Sequence, residues 1–223
     1  MNKKTVLIIG SNSDIAKQTI KLIKPKYNLI KLNSKNFDLS EKNSIDFKVK
    51  DFDHLIFFSA INKIADFHKY TNQDILNHYN INFINISLFL KKIIPNLLKK
   101  KYINKLIFIS SLYSYYGHTG RLPYSVSKFA LNGISKNIAV EYGNKKIISN
   151  CVVPGYVDTK LTRKNLNKKL IKKIISKTPT KSLITKGQIA YVIDFLLSDF
   201  SNGINGQEII VDGGISSNGK FYN

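Results

Sequence analysis

The chain has 223 residues, 43% hydrophobic and 11% aromatic, which suits one folded domain and excludes a disordered chain. Its single cysteine, Cys151, excludes an intrachain disulfide, fits a reducing compartment and reads as a core residue. The net charge of +21 raises the question of a nucleic-acid or anionic-surface partner, but only Arg121 and Arg163 among the 35 basic residues are arginines, and the lysines are spread along the chain, so a solvated basic surface is expected and nucleic acid is not.

The basic start is followed by an apolar run over residues 5–9 only, too short for a signal peptide. The apolar stretch 81–98 is broken by Asn82, Asn85, Lys91, Lys92 and Pro95, so no membrane span is expected and the protein reads as cytoplasmic.

Residues 5–9 (TVLII) form a continuous apolar run, as in a strand buried on both faces of a parallel sheet. A turn over 10–14 and a helix ending at Pro25 follow. Strand, glycine turn and helix open a dinucleotide-binding unit. Gly10 fits the tight turn, and the groups of Ser11, Asn12, Ser13, Asp14 and Ile15 would meet a pyrophosphate at the helix N-terminus. Asp14 is expected to cap its own helix. Residues 27–32 read as the second strand.

The stretch after it, 33–38, leaves room for only a shortened second helix. No acidic residue stands there to accept the ribose hydroxyls of NAD. Asn33, Ser34 and Lys35 stand there instead, and Ser34 with Lys35 could hold a 2′-phosphate. NADP(H) is therefore favoured over NAD(H), against the reading of Lys35 as one more solvated lysine.

Residues 53–60 read as a strand, ending in Ser59 and Ala60, small enough for a cofactor to approach. A long helix is expected over 71–100, a strand over 106–110, a helix over 124–142, and a strand over 147–153 closed by Pro154 and Gly155. A lysine-rich amphipathic stretch over 160–177, a helix over 187–197, a last strand over 208–211 and a loose tail over 216–223 complete the chain. Strands alternating with helices predict an α/β, Rossmann-like doubly wound parallel sheet with helices on both faces, as one domain over residues 1–223.

Tyr124 and Lys128 lie one helical turn apart, so both side chains rise from one face. A tyrosine ordinarily ionises near pH 10, and bringing it toward 7 takes roughly 4 kcal/mol. An ammonium ~4 Å away supplies about that at an effective dielectric of ~20. Lys128 would thus activate Tyr124 as a general acid or base. Ser111 follows the apolar run 106–109 and precedes Tyr124 by a short loop holding His118 and Arg121, which could line a pocket.

This stretch resembles the catalytic segment of the short-chain dehydrogenase/reductase family, Ser followed by Tyr-x-x-x-Lys. Other stretches match the family too. Residues 150–159 (NCVVPGYVDT) fit its Asn-x-x-x-Pro-Gly-x-Val-x-Thr, and 205–214 fit its final strand and Asp-Gly-Gly. The resemblance implies that Ser111 bonds the substrate oxygen and that Lys128 holds the nicotinamide ribose. It implies that Asn82 completes a proton relay, that Asp38 and Leu39 contact adenine, and that Pro154, Gly155, Val157 and Thr159 hold the nicotinamide.

The family's glycine pattern is broken here by Asp14 and Ala16, and Phe57 and Phe58 replace two asparagines. The resemblance further implies a small-molecule carbonyl or alcohol substrate, anionic or carrier-bound if the basic lid over 162–177 is a guide, with a 3-oxoacyl thioester as the default. It also implies a homo-oligomer, dimer or tetramer. No metal is expected. A sugar or nucleotide-sugar reductase is the alternative enzyme, and a non-catalytic NAD(P)-sensing or RNA-binding module the alternative class.

Overall fold

The computed structural model describes residues 3–40 and 51–218. Six strands, β1 (Thr5–Ile9), β2 (Asn28–Leu32), β3 (His54–Phe57), β4 (Asn104–Ile109), β5 (Ile147–Pro154) and β6 (Glu208–Val211), form one parallel sheet in the order β2-β1-β3-β4-β5-β6. Side chains alternate across it, as strand geometry requires. Leu7 and Ile9 join Leu55, Phe57, Phe89, Ile93 and Leu131 on one face, while Val6 and Ile8 join Ile56, Ala16, Ile23, Ile189 and Ile193 on the other. The helices are α1 (Asp14–Ile23), α2 (Asn72–Tyr79), α3 (Asn85–Leu97), α4 (Leu122–Tyr142), α5 (Lys160–Asn165), α6 (Lys168–Lys177) and α7 (Lys186–Leu197). α3 and α4 cover the first face, α1 and α7 the second. The strand order reverses beside β1, which places a crevice outside the carboxyl ends of β1 and β3.

The doubly wound sheet is the one expected from the sequence, and four local expectations need correcting. The helix over 71–100 is broken between α2 and α3 by a π turn, Asn80–Ile84, where the Asn82 side chain is held by neighbouring segments rather than by its own helix. Ser13, not Asp14, caps α1: its Oγ accepts the Ala16 amide at 3.1 Å. The lysine-rich stretch is two helices, because Leu166 takes an extended backbone and Asn167 starts the next helix as its N-cap. The tail is tied as far as residue 218, with Ser216 N donating to Asp212 Oδ2 and Asn218 Nδ2 donating to the Lys177 carbonyl. Residues 219–223 of that expected tail lie outside the described residues, as do residues 41–50. Residues 33–40 form turns rather than a helix. Among the described residues no helix is long and apolar enough to cross a membrane.

Candidate active site

A cleft of about 430 Å³ opens at the carboxyl ends of β1, β3, β4 and β5. Two chain segments bring three of the four predicted catalytic residues to it. β4 delivers Ser111 just past its end, α4 delivers Tyr124 and Lys128 in its first two turns, and all three line the cleft. Pro123 near the start of α4 fixes that first turn without wasting an amide.

The Ser111 hydroxyl hydrogen-bonds the Tyr124 phenol and accepts the Tyr113 amide at 3.3 Å. Lys128 is buried, and its Nζ donates to the Ile109 carbonyl at 2.8 Å. That nitrogen lies 5.6 Å from the centre of the Tyr124 ring. The expected activation of Tyr124 by Lys128 is therefore not what the geometry gives. Burial raises the Tyr124 pKa above its ordinary value, with the Ser111 hydrogen bond and the Arg121 charge pulling the other way. Burial also pushes Lys128 down to about 8. The ammonium is turned to the end of β4, and the phenol stays protonated at neutral pH.

Asn82 is buried behind this group. Its Oδ1 accepts the Ile61 amide at 2.9 Å, and its Nδ2 donates to the Ile61 carbonyl at 3.0 Å and to Ser127 Oγ at 2.9 Å. Both donors and the acceptor are engaged, so the side chain anchors the 61 loop and α4 and leaves no hydrogen of its own for a relay.

Along the cofactor side, Asn12, Ser13, Asp14, Ile15, Ala60, Pro154, Gly155, Val157 and Thr159 line the cleft. Gly10 stands at φ +79°, and a Cβ there would fall 2.7 Å from the Ser59 amide nitrogen and Oγ, so this glycine serves the approach of the β3 exit as well as the turn. The Ser11 amide is spent on the Leu32 carbonyl. Asp14 does not face its own helix: Oδ2 accepts the Lys160 amide at 2.7 Å, bridging the glycine turn to α5. Thr159 caps α5, its Oγ1 accepting the Thr162 amide at 3.1 Å. Val157 is bridged to Ile184 through the Tyr156 carbonyl and the Asp158 amide. In a parallel bridge this turns Val157's own amide and carbonyl the other way, and among the described residues they have no backbone partner.

Gly10, Ser11, Ser59, Asn33, Ser34, Lys35, Asp38 and Leu39 do not line this cleft. Asn33 Oδ1 accepts the Lys35 amide, whereas Ser34 and Lys35 stand exposed beyond β2. Asp38 Oδ1 is bonded to Ser40, the Leu39 side chain lies in the core, and the Leu39 carbonyl accepts Asn85 Nδ2. Two matched motifs have internal structural work. Asn150 holds the Ile204 carbonyl and the Gln207 amide, and Asp212 holds the amides of Gly214 and Ser216. The sequence reading missed Asn62, Tyr113, Tyr156 and Leu161 as wall residues. None carries a spacing signal, because loops and α5 bring them in. His118 is exposed, its ring tilted against Tyr113, and is not part of the wall, whereas Arg121 is. Cys151 is buried, and burial pushes its thiol up to about 12.

Together these residues suit a dinucleotide lying from the glycine turn, past Ala60, to the free amide of Val157, with a carbonyl oxygen between Ser111 and Tyr124. Residues 42–216 match the family model described as enoyl-(acyl carrier protein) reductase. The chain is 32% identical over 241 residues to 3-oxoacyl-acyl-carrier-protein reductase FabG of Buchnera aphidicola subsp. Schizaphis graminum, covering 96% of this chain and 98% of that one. A 4-hydroxyisoleucine dehydrogenase complexed with NADH superposes with a TM-score of 0.89 at 24% identity, over 96% of this chain and 99% of the other. A gluconate 5-dehydrogenase from Burkholderia cenocepacia in complex with NADP and tartrate gives 0.85 at 19% identity, over 97% and 96%.

Proposed function

We infer the function from one premise: the chain belongs to the short-chain dehydrogenase/reductase family. It is an NAD(P)-dependent oxidoreductase acting on a carbonyl or alcohol group. Within that class, the proposed reaction is reduction of the 3-oxo group of an acyl thioester. The name of the Buchnera relative and the basic lid over α5 and α6 support this substrate.

A bound nicotinamide would supply or accept the hydride. Asn12 to Ile15, Ala60 and the backbone of Val157 would hold the cofactor, with Gly10 shaping the turn and Pro154, Gly155 and Thr159 forming the wall beside the nicotinamide. Ser34 and Lys35, exposed past β2, support NADPH over NADH. The protonated phenol of Tyr124 donates to the substrate oxygen, and Ser111 bonds the same oxygen and orients the phenol. Lys128 places a cation behind that pair and can reach a ribose hydroxyl by leaving the Ile109 carbonyl. Asn82 acts by position, fixing Ser127 beside Lys128.

The protein is proposed to be a single reductase domain over 1–223, to work in the cytoplasm, and to form a homodimer or homotetramer through α2 to α4 and β6. Leu76, Val126, Phe129 and Ile210 stand exposed on those elements.

The observation that carries this reading is the meeting of Ser111, Tyr124 and Lys128 on one cleft beside the glycine turn. The test is NADPH and NADH oxidation with acetoacetyl-pantetheine and a broad carbonyl panel, using wild type and Tyr124→Phe. Loss of nearly all turnover in the variant is expected, with NADPH preferred. Equal turnover in the two proteins would defeat the mechanism.

A further inference from the structure

Arg121, immediately before α4, is only 6% exposed yet lines the cleft with Ser111 and Tyr124. A guanidinium withdrawn from water is costly unless its charge is answered. Here it is answered only in part. Nη1 donates to Asn62 Oδ1 at 2.5 Å, Nε is buried with no hydrogen-bond partner, and no ion pair to Arg121 exists among the described residues. The chain's other arginine, Arg163, shows the contrast: it is exposed and grips the Asp158 carboxylate with Nε and Nη2. The Arg121 Cζ lies 5.6 Å from the Tyr113 ring centre, and that ring meets the Tyr124 ring edge-on at 6.2 Å. The guanidinium and the reacting phenol thus pack against the same aromatic ring and line the same cleft.

We propose that Arg121 is a carboxylate subsite, so that the cleft also takes short free oxo acids. The carboxylate pairs with the guanidinium fork while the oxo oxygen meets Ser111 and Tyr124. A planar fork with unspent donors matches a carboxylate in a way the scattered, exposed lid lysines do not. The inference rests on the roles given above to Ser111 and Tyr124 and extends them from thioesters to acids. In the reaction the carbonyl carbon gains a hydride from the reduced nicotinamide, which is oxidised. The carbonyl π pair moves to oxygen, which takes the Tyr124 proton, and the carboxylate is unchanged. The product is the hydroxy acid.

The test is calorimetric binding of acetoacetate and of methyl acetoacetate in the presence of NADP+, with which neither can react. Wild type, Arg121→Met, Arg121→Lys and Tyr124→Phe are compared, with thermal melts to establish folding. Wild type and Tyr124→Phe are expected to bind the acid about 10-fold or more tighter than the ester. Arg121→Met should lose that difference and Arg121→Lys should keep part of it. If Arg121→Met does not fold, the Lys variant alone decides. Equal binding of acid and ester by wild type, binding of neither, or a preference unchanged in the Arg121 variants overturns the proposal. Thioester turnover that survives Tyr124→Phe, with the acid preference intact, would count against the catalytic reading and not against the subsite.

Discussion

The carboxylate of Asp14 accepts the backbone amide of Lys160 at 2.7 Å, joining the glycine turn to α5 across 146 positions of sequence. This single contact ties the glycine-turn side of the cleft to its α5 side. It also puts a negative charge where a dinucleotide's phosphates would lie. Asp14→Asn keeps the acceptor and removes the charge. It is expected to tighten cofactor binding by roughly fivefold, the equivalent of about 1 kcal/mol at an exposed dielectric. Asp14→Ala removes both, and should also raise protease sensitivity around residues 160–165. Fluorescence titration with NADPH and limited proteolysis check the two variants. Weaker cofactor binding by Asp14→Asn would refute the argument.

Tyr124 is held protonated by its burial, with Ser111 and Arg121 opposing. An ultraviolet titration of wild type minus Tyr124→Phe, without cofactor, should therefore show no phenolate forming below about pH 10, the ordinary tyrosine value. Ser111→Ala removes the hydrogen bond that favours ionisation, so its difference titration should move higher still. It should also cost on the order of 10²-fold in turnover, the scale of one lost hydrogen bond to a reacting oxygen. A difference phenolate appearing near neutral pH would show that Lys128 does act on Tyr124 in the free protein.

Lys128 is buried as a cation, and its pKa falls to about 8 in the fold. The unfolded chain holds its proton up to about 10.4, so between those values the unfolded state binds more protons and stability rises with pH. The penalty is fully present below pH 8 and relieved as pH climbs toward 10.4. Lys128→Met should thus abolish turnover while raising stability at pH 7, by about 1–3 kcal/mol on the scale of replaced buried charges. Denaturant melts at pH 7 and pH 10 should show that gain shrinking at the higher pH. A variant less stable than wild type at pH 7 would mean that the Ile109 hydrogen bond outweighs the charge.

Asn82→Ala leaves the Ile61 amide and carbonyl without their buried partner and frees Ser127. The expected cost is about 2–4 kcal/mol in urea unfolding, the sum of a few lost buried hydrogen bonds. Turnover should fall through a loosened α4 while cofactor affinity stays close to normal. A stable variant with lost turnover would restore a direct relay role to Asn82.

The sheet was legible because its central strands contain uninterrupted apolar runs, such as 5–9 and 106–109, as expected of strands buried on both faces. Tyr124 and Lys128 were legible as a same-face pair because helical spacing fixes direction. Spacing does not fix the target of a long side chain, and the Lys128 nitrogen found a carbonyl at the end of a neighbouring strand. Ser13 and Asp14 are both good capping residues, and the backbone partner that claims Asp14 lies too far along the chain for local pattern to reveal. The π turn was invisible because its apolar spacing still passes for an ordinary helix, while the Asn82 side chain within it is held by a loop contact at Ile61 that local pattern does not encode. What sets Arg121 apart is a buried guanidinium with an unpartnered Nε, and burial is something no local spacing encodes.

The wall around Gly155 has a further consequence for how the protein is made. The Gly155 amide bonds the Val211 carbonyl, and a Cβ on Gly155 would fall 2.8 Å from the Asp212 Cα. Asn150 likewise waits for the Ile204 carbonyl and the Gln207 amide. Tyr124, Lys128 and the glycine turn are synthesised long before these partners, so a nascent chain on the ribosome can hold its proposed catalytic side chains and still lack the finished wall proposed to face the nicotinamide. Parallel pairing of distant strands is slow to form. Competence for hydride transfer should therefore arrive late and abruptly, when β6 slots in beside β5, rather than growing with chain length.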